Sequence, residues 1–367
     1  MMRVLLLCTE PWIGLKLLYC LRAARYEVDV IADRKLVFRS SRYLRKFTIR
    51  KFPCPGFPEP SFGEFVSNYC AENGIQCVLG DHINSQIIID EMADHLGTVP
   101  RFPSLPASNL KGLNDKWLFN NVLLDNGLPG PPSNLIRGPE CAFNAEVRDL
   151  GFPLIVKPLS QHSNQGVFKA NTDADLINYV ADGARLGEFP LMAQKYLSGH
   201  DAGYSFLASD GKILGWTLQR YHWDQDFIEF FSDDSIEKFG QDFVRQTNYT
   251  GVANIDLRVD DENRLLGVIE CNPRFWGSIV ASGVHGMNFV KAGIDLARGA
   301  DPQTLVVGRY RQGRYYTAQA LVKKWLSSPS NSDTVHSENM REILAQTTDI
   351  GPYLRRALER IKGSKVV

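Results

Sequence analysis

Residues 268–278 read VIECNPRFWGS. Glu270, Asn272 and Arg274 stand at alternate positions of an apolar, β-prone run, broken by Pro273. Alternate residues of a strand share a face, so a carboxylate, an amide and a guanidinium enter one space while Cys271 turns away. Upstream, Ile255, Leu257 and Val259 alternate with Asp256, Arg258 and Asp260, and DENR supplies a turn. A three-residue loop at 262–264, with Asn263 left-handed, sets Asp256 opposite Glu270. Facing carboxylates repel; a cation between them removes that cost. An all-oxygen set of Asp256, Glu270 and Asn272 suits Mg²⁺ or Mn²⁺ better than zinc. Arg274 beyond the ion holds a carboxylate or a phosphoryl group. The competing reading is a solvated strand face on which the two acids pair with Arg258 and Arg274.

An ion with few protein ligands suggests a nucleotide. No G-x-x-x-x-G-K-[ST] occurs in the chain, so phosphate contacts must come from outside a P-loop. Lys157 ends the apolar run FPLIVKP; there it either snorkels to water or meets an anion. The turn at 160–166, rich in hydroxyl, amide and imidazole groups, folds over phosphates or is an ordinary surface hairpin. In LMAQKYLSGHD, Met192, Tyr196 and Leu197 offer an apolar slot for a base, Gln194 an amide, and Asp201 an acceptor for ribose hydroxyls. An amphipathic strand accounts for Met192 and Tyr196 equally well.

These residues need particular elements to hold them. Residues 3–34 read strand, helix, strand, and the β-α alternation continues to about residue 97, which predicts an open parallel sheet. The loop CTEPWIG lacks G-x-G-x-x-G, so a dinucleotide site is not expected there. The proline-rich GTVPRFPSLPASN marks a boundary near residue 105. A helix capped at Asn114 or Asp115 follows, then a helix in CAFNAEVRDLG and strands FPLIVKPL and GVFKA. PLMAQKYLSG, AGYSFLASDG and KILGWTLQRYHW read as successive antiparallel strands. The C-terminal part predicts one strand, a polar linker and terminal helices.

The chain has 367 residues, 44% of them hydrophobic, with 41 basic and 41 acidic side chains. Zero net charge gives no support to nucleic acid or an anionic membrane as partner. Seven scattered cysteines without Cys-x-x-Cys spacing point to reduced thiols and a cytoplasmic setting. The apolar start is cut short at Glu10, too early for a secretory h-region, and no run reaches membrane-spanning length.

The order DK, PLIVKP…SNQG, AQKYLSGHD and IDLRVD…VIECNPR resembles the ATP-grasp superfamily, which includes D-alanine–D-alanine ligases, biotin carboxylase and the carbamoyl-phosphate synthetase large chain. The resemblance implies an α/β chain whose ATP-binding part is α+β. An N-terminal Rossmann-like pre-ATP-grasp domain would span 1–105, a central lobe 106–190, a C-terminal lobe with the metal site 191–300, and an unassigned extension 301–367. It implies that Lys116 and Lys157 contact ATP phosphates, and that Ser163, Asn164 and Gly166 lie in a loop over the γ-phosphate. Gln194 would meet the adenine amino group, the Lys195, Tyr196 and Leu197 backbone would form the hinge, and Asp201 would bind ribose. Asp256, Glu270 and Asn272 would hold one or two Mg²⁺ ions, and Arg274 would stabilise an acyl phosphate. Gln194 and Asp201 replace glutamates common in the family, and His162 replaces a loop glycine.

The implied activity is ATP-dependent activation of a carboxylate as its acyl phosphate for attack by an amine or thiol. The alternatives are a phosphotransferase on the same fold and a nucleotide-binding regulatory module without turnover. Arg220, His222, Arg258 and Trp276 are the expected lining of the acceptor pocket, with Ser278 and the loop TEPWIG beside them. Expected partners are a small carboxylate and a nucleophile. The C-terminal segment either covers the site or joins a homodimer.

Overall fold

The structure, a computed structural model, describes residues 1–160, 165–186, 189–222, 224–305, 310–317, 320 and 337–361. The N-terminal sheet contains β1 (Arg3–Cys8), β2 (Glu27–Ala32), β3 (Leu44–Ile49) and β4 (Cys77–Gly80) in the order β3-β2-β1-β4. All its pairings are parallel. Val4, Leu5, Leu6 and Leu7 are all fully buried, because helices cover both faces and leave no polar side. The sheet is of the open parallel kind expected, although β3 gave no clear signal in the sequence.

A small antiparallel sheet is built from β5 (Ser133–Ile136), β6 (Leu154–Pro158), β7 (Phe168–Ala170) and β8 (Leu191–Lys195), ordered β5-β8-β6-β7. A larger one contains β9 (His200–Ser209), β10 (Lys212–His222), β11 (Phe227–Phe231), β12 (Gly251–Val259), β13 (Leu265–Asn272) and β14 (Gly313–Tyr316), ordered β13-β12-β9-β10-β11-β14. The run of three successive strands therefore divides. β8 pairs with β5 and β6, whereas β9 and β10 pair with each other; the Gly199 turn, at φ +104°, marks the passage between sheets. The proline-rich stretch is a boundary of a different kind, since helix Ala107–Asn114 starts directly after Pro106. The helix read in CAFNAEVRDLG is a 3-10 turn, Pro139–Phe143, and a short helix, Ala145–Arg148. Of the polar linker expected at 327–339, residues 327–336 lie outside the described residues, and 337–339 instead begin helix Ser337–Thr348.

Alternation on the large sheet separates core from site. Tyr204 and Phe206 of β9, Leu218 of β10, Ile255 and Leu257 of β12 and Cys271 of β13 share one apolar cluster with helices Lys116–Asp125 and Asp234–Gln246. The opposite face carries Gly203, Ser205, Asn254, Asp256, Asn272 and, farther along, Leu207 and Val252, which join the core under the N-terminal sheet. Helices Pro11–Ala23, Ile279–Val284 and Phe289–Ala297 contribute to that core. Among the described residues no helix is long and apolar enough to cross a membrane.

Candidate functional site

Asp256 faces Glu270 across the β12–β13 hairpin. The expected register is present, but a different loop produces it. Asp260 N donates to Arg264 O at 3.0 Å, Val259 pairs with Leu265, and two bulges then advance β13 until Asp256 meets Glu270. Asn263 is left-handed at φ +66°, as the turn requires. Bulges concentrate where a strand must re-aim a side chain. Here they place both carboxylates on the polar face.

Amide groups hold the Asp256 carboxylate from two sides. Asn254 Nδ2 donates to Oδ1 at 2.6 Å and Asn272 Nδ2 to Oδ2 at 3.1 Å. Ser205 Oγ fixes Asn254 in turn, donating to its Oδ1 at 2.8 Å. Arg274 donates through Nη2 to Asn272 Oδ1 and through Nη1 to Phe275 O, each at 2.9 Å. Its Nε is buried with no partner, so that donor remains for an anion. The solvated-face reading is overturned, because neither acid pairs with Arg258. That residue instead meets Asp201 at 3.2 Å and Gly199 O at 3.1 Å.

Two lysines supply the positive charge. Lys116 Nζ lies 3.1 Å from Glu270 Oε2. Helix Lys116–Asp125 starts there because Asp115 caps it, accepting from Trp117 N and Leu118 N at 2.9 Å each. Lys157 is 2% exposed, and its Nζ donates to Gln194 Oε1 at 2.9 Å. Burial brings the Lys157 ammonium down to about 8, against the pull of Glu270. Burial pushes Asp256 well above the carboxylate range, and the Glu270 charge adds to this. Burial also opposes ionisation of Glu270, but Lys116 and Lys157 outweigh it and hold that group low. The two shifts run in opposite directions, as expected when two acids share one site and the lysines lie nearer one of them. Among the described residues no three His, Cys, Asp or Glu side chains converge on a metal position. Two carboxylates and an amide oxygen form the sparse, hard donor set that Mg²⁺ accepts when water or phosphate fills the rest, so the residues fit that ion.

The structure gathers Lys116, Lys157, Gln194, Asp256, Glu270, Asn272 and Arg274 through contacts or direct electrostatic coupling. Gln194 is 2% exposed and spans Lys157 and Ser133, donating to Ser133 Oγ at 3.2 Å. Lys195 N and Tyr196 N bond Pro132 O at 2.9 Å and Pro153 O at 3.2 Å. Lys169 Nζ sits 3.8 Å from the Tyr196 ring centre, and Leu197 packs against the bare backbone of Gly267. Gly166 is left-handed at φ +68°, and its carbonyl accepts from Tyr179. Ser163, Asn164 and His162 lie outside the described residues.

The expected acceptor lining needs correction. Gln219 pairs with Gly203 and Arg220 with Ala202. By strand alternation Gln219 and Tyr221 therefore share the Asp256 face, whereas Arg220 and His222 point to the other. Arg220 bonds Asn263 Oδ1 at 3.0 Å, and His222 meets Glu229 at 3.0 Å while stacking on Phe227. Trp276 is 4% exposed and packs edge-on against Phe289, so its contribution is to the core. The Glu10 carboxylate of the N-terminal loop lies within electrostatic range of Arg274. Buried Asp81 shapes that loop, accepting from Glu10 N at 2.7 Å, Thr9 N at 2.9 Å, Ser85 Oγ at 2.9 Å and Cys8 Sγ at 3.0 Å. The sequence reading missed Asn254 and Ser205; Asn254, two residues before Asp256, was recoverable from alternation alone.

Residues 188–316 match the family described as "ATP-grasp in the biosynthetic pathway with Ter operon". That segment is an ATP-grasp domain. The chain's match to the D-alanine–D-alanine ligase of Hydrogenovibrio crunogenus is 25% identical and covers 46% of this chain and 49% of the relative. A match to the C-terminal section of the carbamoyl phosphate synthase large chain of Methanopyrus kandleri is 22% identical, covering 44% and 33%. The chain thus spans at most about half of these relatives. The ATP-grasp fold is shared with Campylobacter jejuni biotin carboxylase, solved as its β-γ-ATP complex, at TM-score 0.64 and 16% identity over 85% of this chain and 74% of that one. The family match takes in the ATP-grasp hairpin and Arg274 but neither Lys116 nor Lys157.

Proposed function

We propose that the chain is an ATP-dependent ligase that activates a small carboxylate as its acyl phosphate and joins it to an amine or thiol, releasing ADP and phosphate. The observation that carries this reading is the half-buried constellation in which the buried Lys116 and Lys157 flank the Asp256–Glu270 pair while Arg274 keeps Nε–H unpaired beside it. A carboxylate is a poor electrophile because oxide is its leaving group. Its oxygen attacks the γ-phosphorus, the bond to the ADP oxygen breaks, and the acyl group then carries phosphate as a leaving group. The nucleophile adds to the acyl carbon, phosphate departs with the bonding electrons, and the nucleophile's proton leaves with it.

Lys157 and Lys116 hold phosphate oxygens and offset their charge. Arg274 is aimed through Nε at the acyl oxygen or the phosphoryl group. Asp256, Glu270 and Asn272 would hold Mg²⁺, which would supply positive charge to offset that of the phosphates. The Gln194–Tyr196 segment of β8 and Asp201 would receive base and ribose, and residues 163–166 would cover the γ-phosphate. The four-part domain division given above belongs to this reading, as does a cytoplasmic site of action.

The test is ADP release from the purified chain with ATP, Mg²⁺ and a panel of carboxylates, each with and without hydroxylamine to trap acyl phosphate as hydroxamate. Carboxylate-dependent ADP with hydroxamate is expected. A stable phosphorylated product without hydroxamate would mark a phosphotransferase, and ATP binding without ADP a regulatory module.

A further inference from the structure

The Asp256 face of the large sheet carries a second group of polar side chains with no role so far. Cross-strand pairing runs from Glu270 through Asp256 and Gly203 to Gln219, so Gln219 stands on the same face two strands from Asp256, roughly 10 Å away. Gly203 adds no side chain to this row. A Cβ there would lie 2.9 Å from Asn254 Oδ1, 3.2 Å from Tyr221 OH and 3.3 Å from Gln219 Nε2. Three polar groups converge over bare backbone.

Gln219 is fully buried. Its Nε2 donates to Tyr221 OH and Ser278 Oγ, both at 2.7 Å, and its Oε1 is buried with no partner. A buried acceptor left unmade costs about 1–3 kcal/mol, a cost a ligand donor removes. Ser278 supplies an independent sign. It is the N-cap residue of helix Ile279–Val284, yet its side chain makes no capping bond. A capping serine ordinarily contributes about 1 kcal/mol. Here the hydroxyl turns to Gln219, on the loop that also carries Arg274.

We propose that Gln219 is a specificity-determining residue: anchored by Tyr221 and Ser278, it accepts a hydrogen bond through Oε1 from an N–H or O–H group of the carboxylate substrate. This rests on the ligase reading and narrows its substrate to acids that bear a donor near the carboxyl group, such as amino or hydroxy acids. A site built around a hydrogen bond discriminates strongly against the analogue lacking it.

The test uses the full chain with ATP, Mg²⁺, hydroxylamine and matched acids that differ only in an α-amino group, an α-hydroxyl group or hydrogen. The wild type is expected to favour a donor-bearing acid by roughly 10- to 100-fold in kcat/KM. Gln219→Met keeps the shape and removes the acceptor; it should bring that preference to within about twofold of unity and leave the KM for ATP within about twofold. A variant that keeps the wild-type preference overturns the proposal and leaves the ligase reading intact. Equal losses for all acids and for ATP also overturn it, by making Gln219 structural. If Gln219→Met does not fold, Ser278→Ala decides: the preference should fall about threefold or more, and an unchanged preference overturns the proposal. A wild type that releases ADP with none of the acids overturns the ligase reading and this inference with it.

Discussion

Lys157 keeps an ammonium where water scarcely reaches it, with an amide oxygen at 2.9 Å as its hydrogen-bond partner. The group titrates at about 8 rather than 10.5. Between those values the unfolded chain holds a proton that the folded chain lacks, so stability rises with pH across that window. Below about 8 the full cost of roughly 3 kcal/mol is present. Lys157→Met is therefore expected to raise the melting temperature without nucleotide at pH 7 and to abolish the stabilisation that ATP gives, both readable in one thermal-shift series. Phosphate favours the charged lysine, so ATP binding should take up a proton near pH 8–9 and weaken as pH climbs through about 8. Calorimetry in two buffers of different ionisation enthalpy measures that uptake. At the acid pair, Asp256→Asn and Glu270→Gln should each lower ADP release at least about 100-fold. Asp256→Asn, which mimics the protonated form, should leave the fold without ligand as stable as the wild type at pH 7.

The β12–β13 hairpin shows how an element turns such residues into a site. Glu270, Asn272 and Arg274 were legible as one face because the period of a strand is two, and Asp256 was legible as their neighbour. The bulges were not, since an extra unpaired residue leaves no mark in apolar alternation. On β10 the same rule was available, but the large polar side chains Arg220 and His222 drew the expectation one residue away from Gln219 and Tyr221. Removing one residue from β13 tests the element. Deleting Cys271, which pairs with Ile255 beyond both bulges, turns Asn272 into the apolar face, so cooperative unfolding should be lost or its midpoint lowered by more than about 10 °C. Leu266→Ala, at a side chain that is 41% exposed, should cost less than about 1 kcal/mol. Circular dichroism melts separate the two outcomes.

Across the whole molecule, the chain ends by returning to its beginning. Asp349 is 1% exposed and accepts from Ser41 Oγ at 2.6 Å, Arg42 N at 3.0 Å and Tyr19 OH at 3.4 Å. It lies between helices Ser337–Thr348 and Ile350–Ile361 and ties both to the N-terminal sheet region. Asp349→Ala leaves those donors without their acceptor and should cost about 2–4 kcal/mol. Limited proteolysis should then cut first within residues 337–361, and thermal melts should report the loss. The terminal helices were expected, whereas their docking place was not, because a single aspartate at a helix junction carries no pattern.

The sequence by itself determined the parallel N-terminal sheet, the facing of Asp256 and Glu270 and a helix cap at Asn114 or Asp115. Each follows from local periodicity, a capping side chain or residue types at short spacing. Tertiary structure alone decided that Lys116 pairs with Glu270, that Lys157 bonds Gln194, that β8 leaves the strands following it and that Gln219 shares the Asp256 face. Those contacts join residues tens to hundreds of positions apart. Burial between packed sheets fixes their geometry, and no spacing within the chain encodes it.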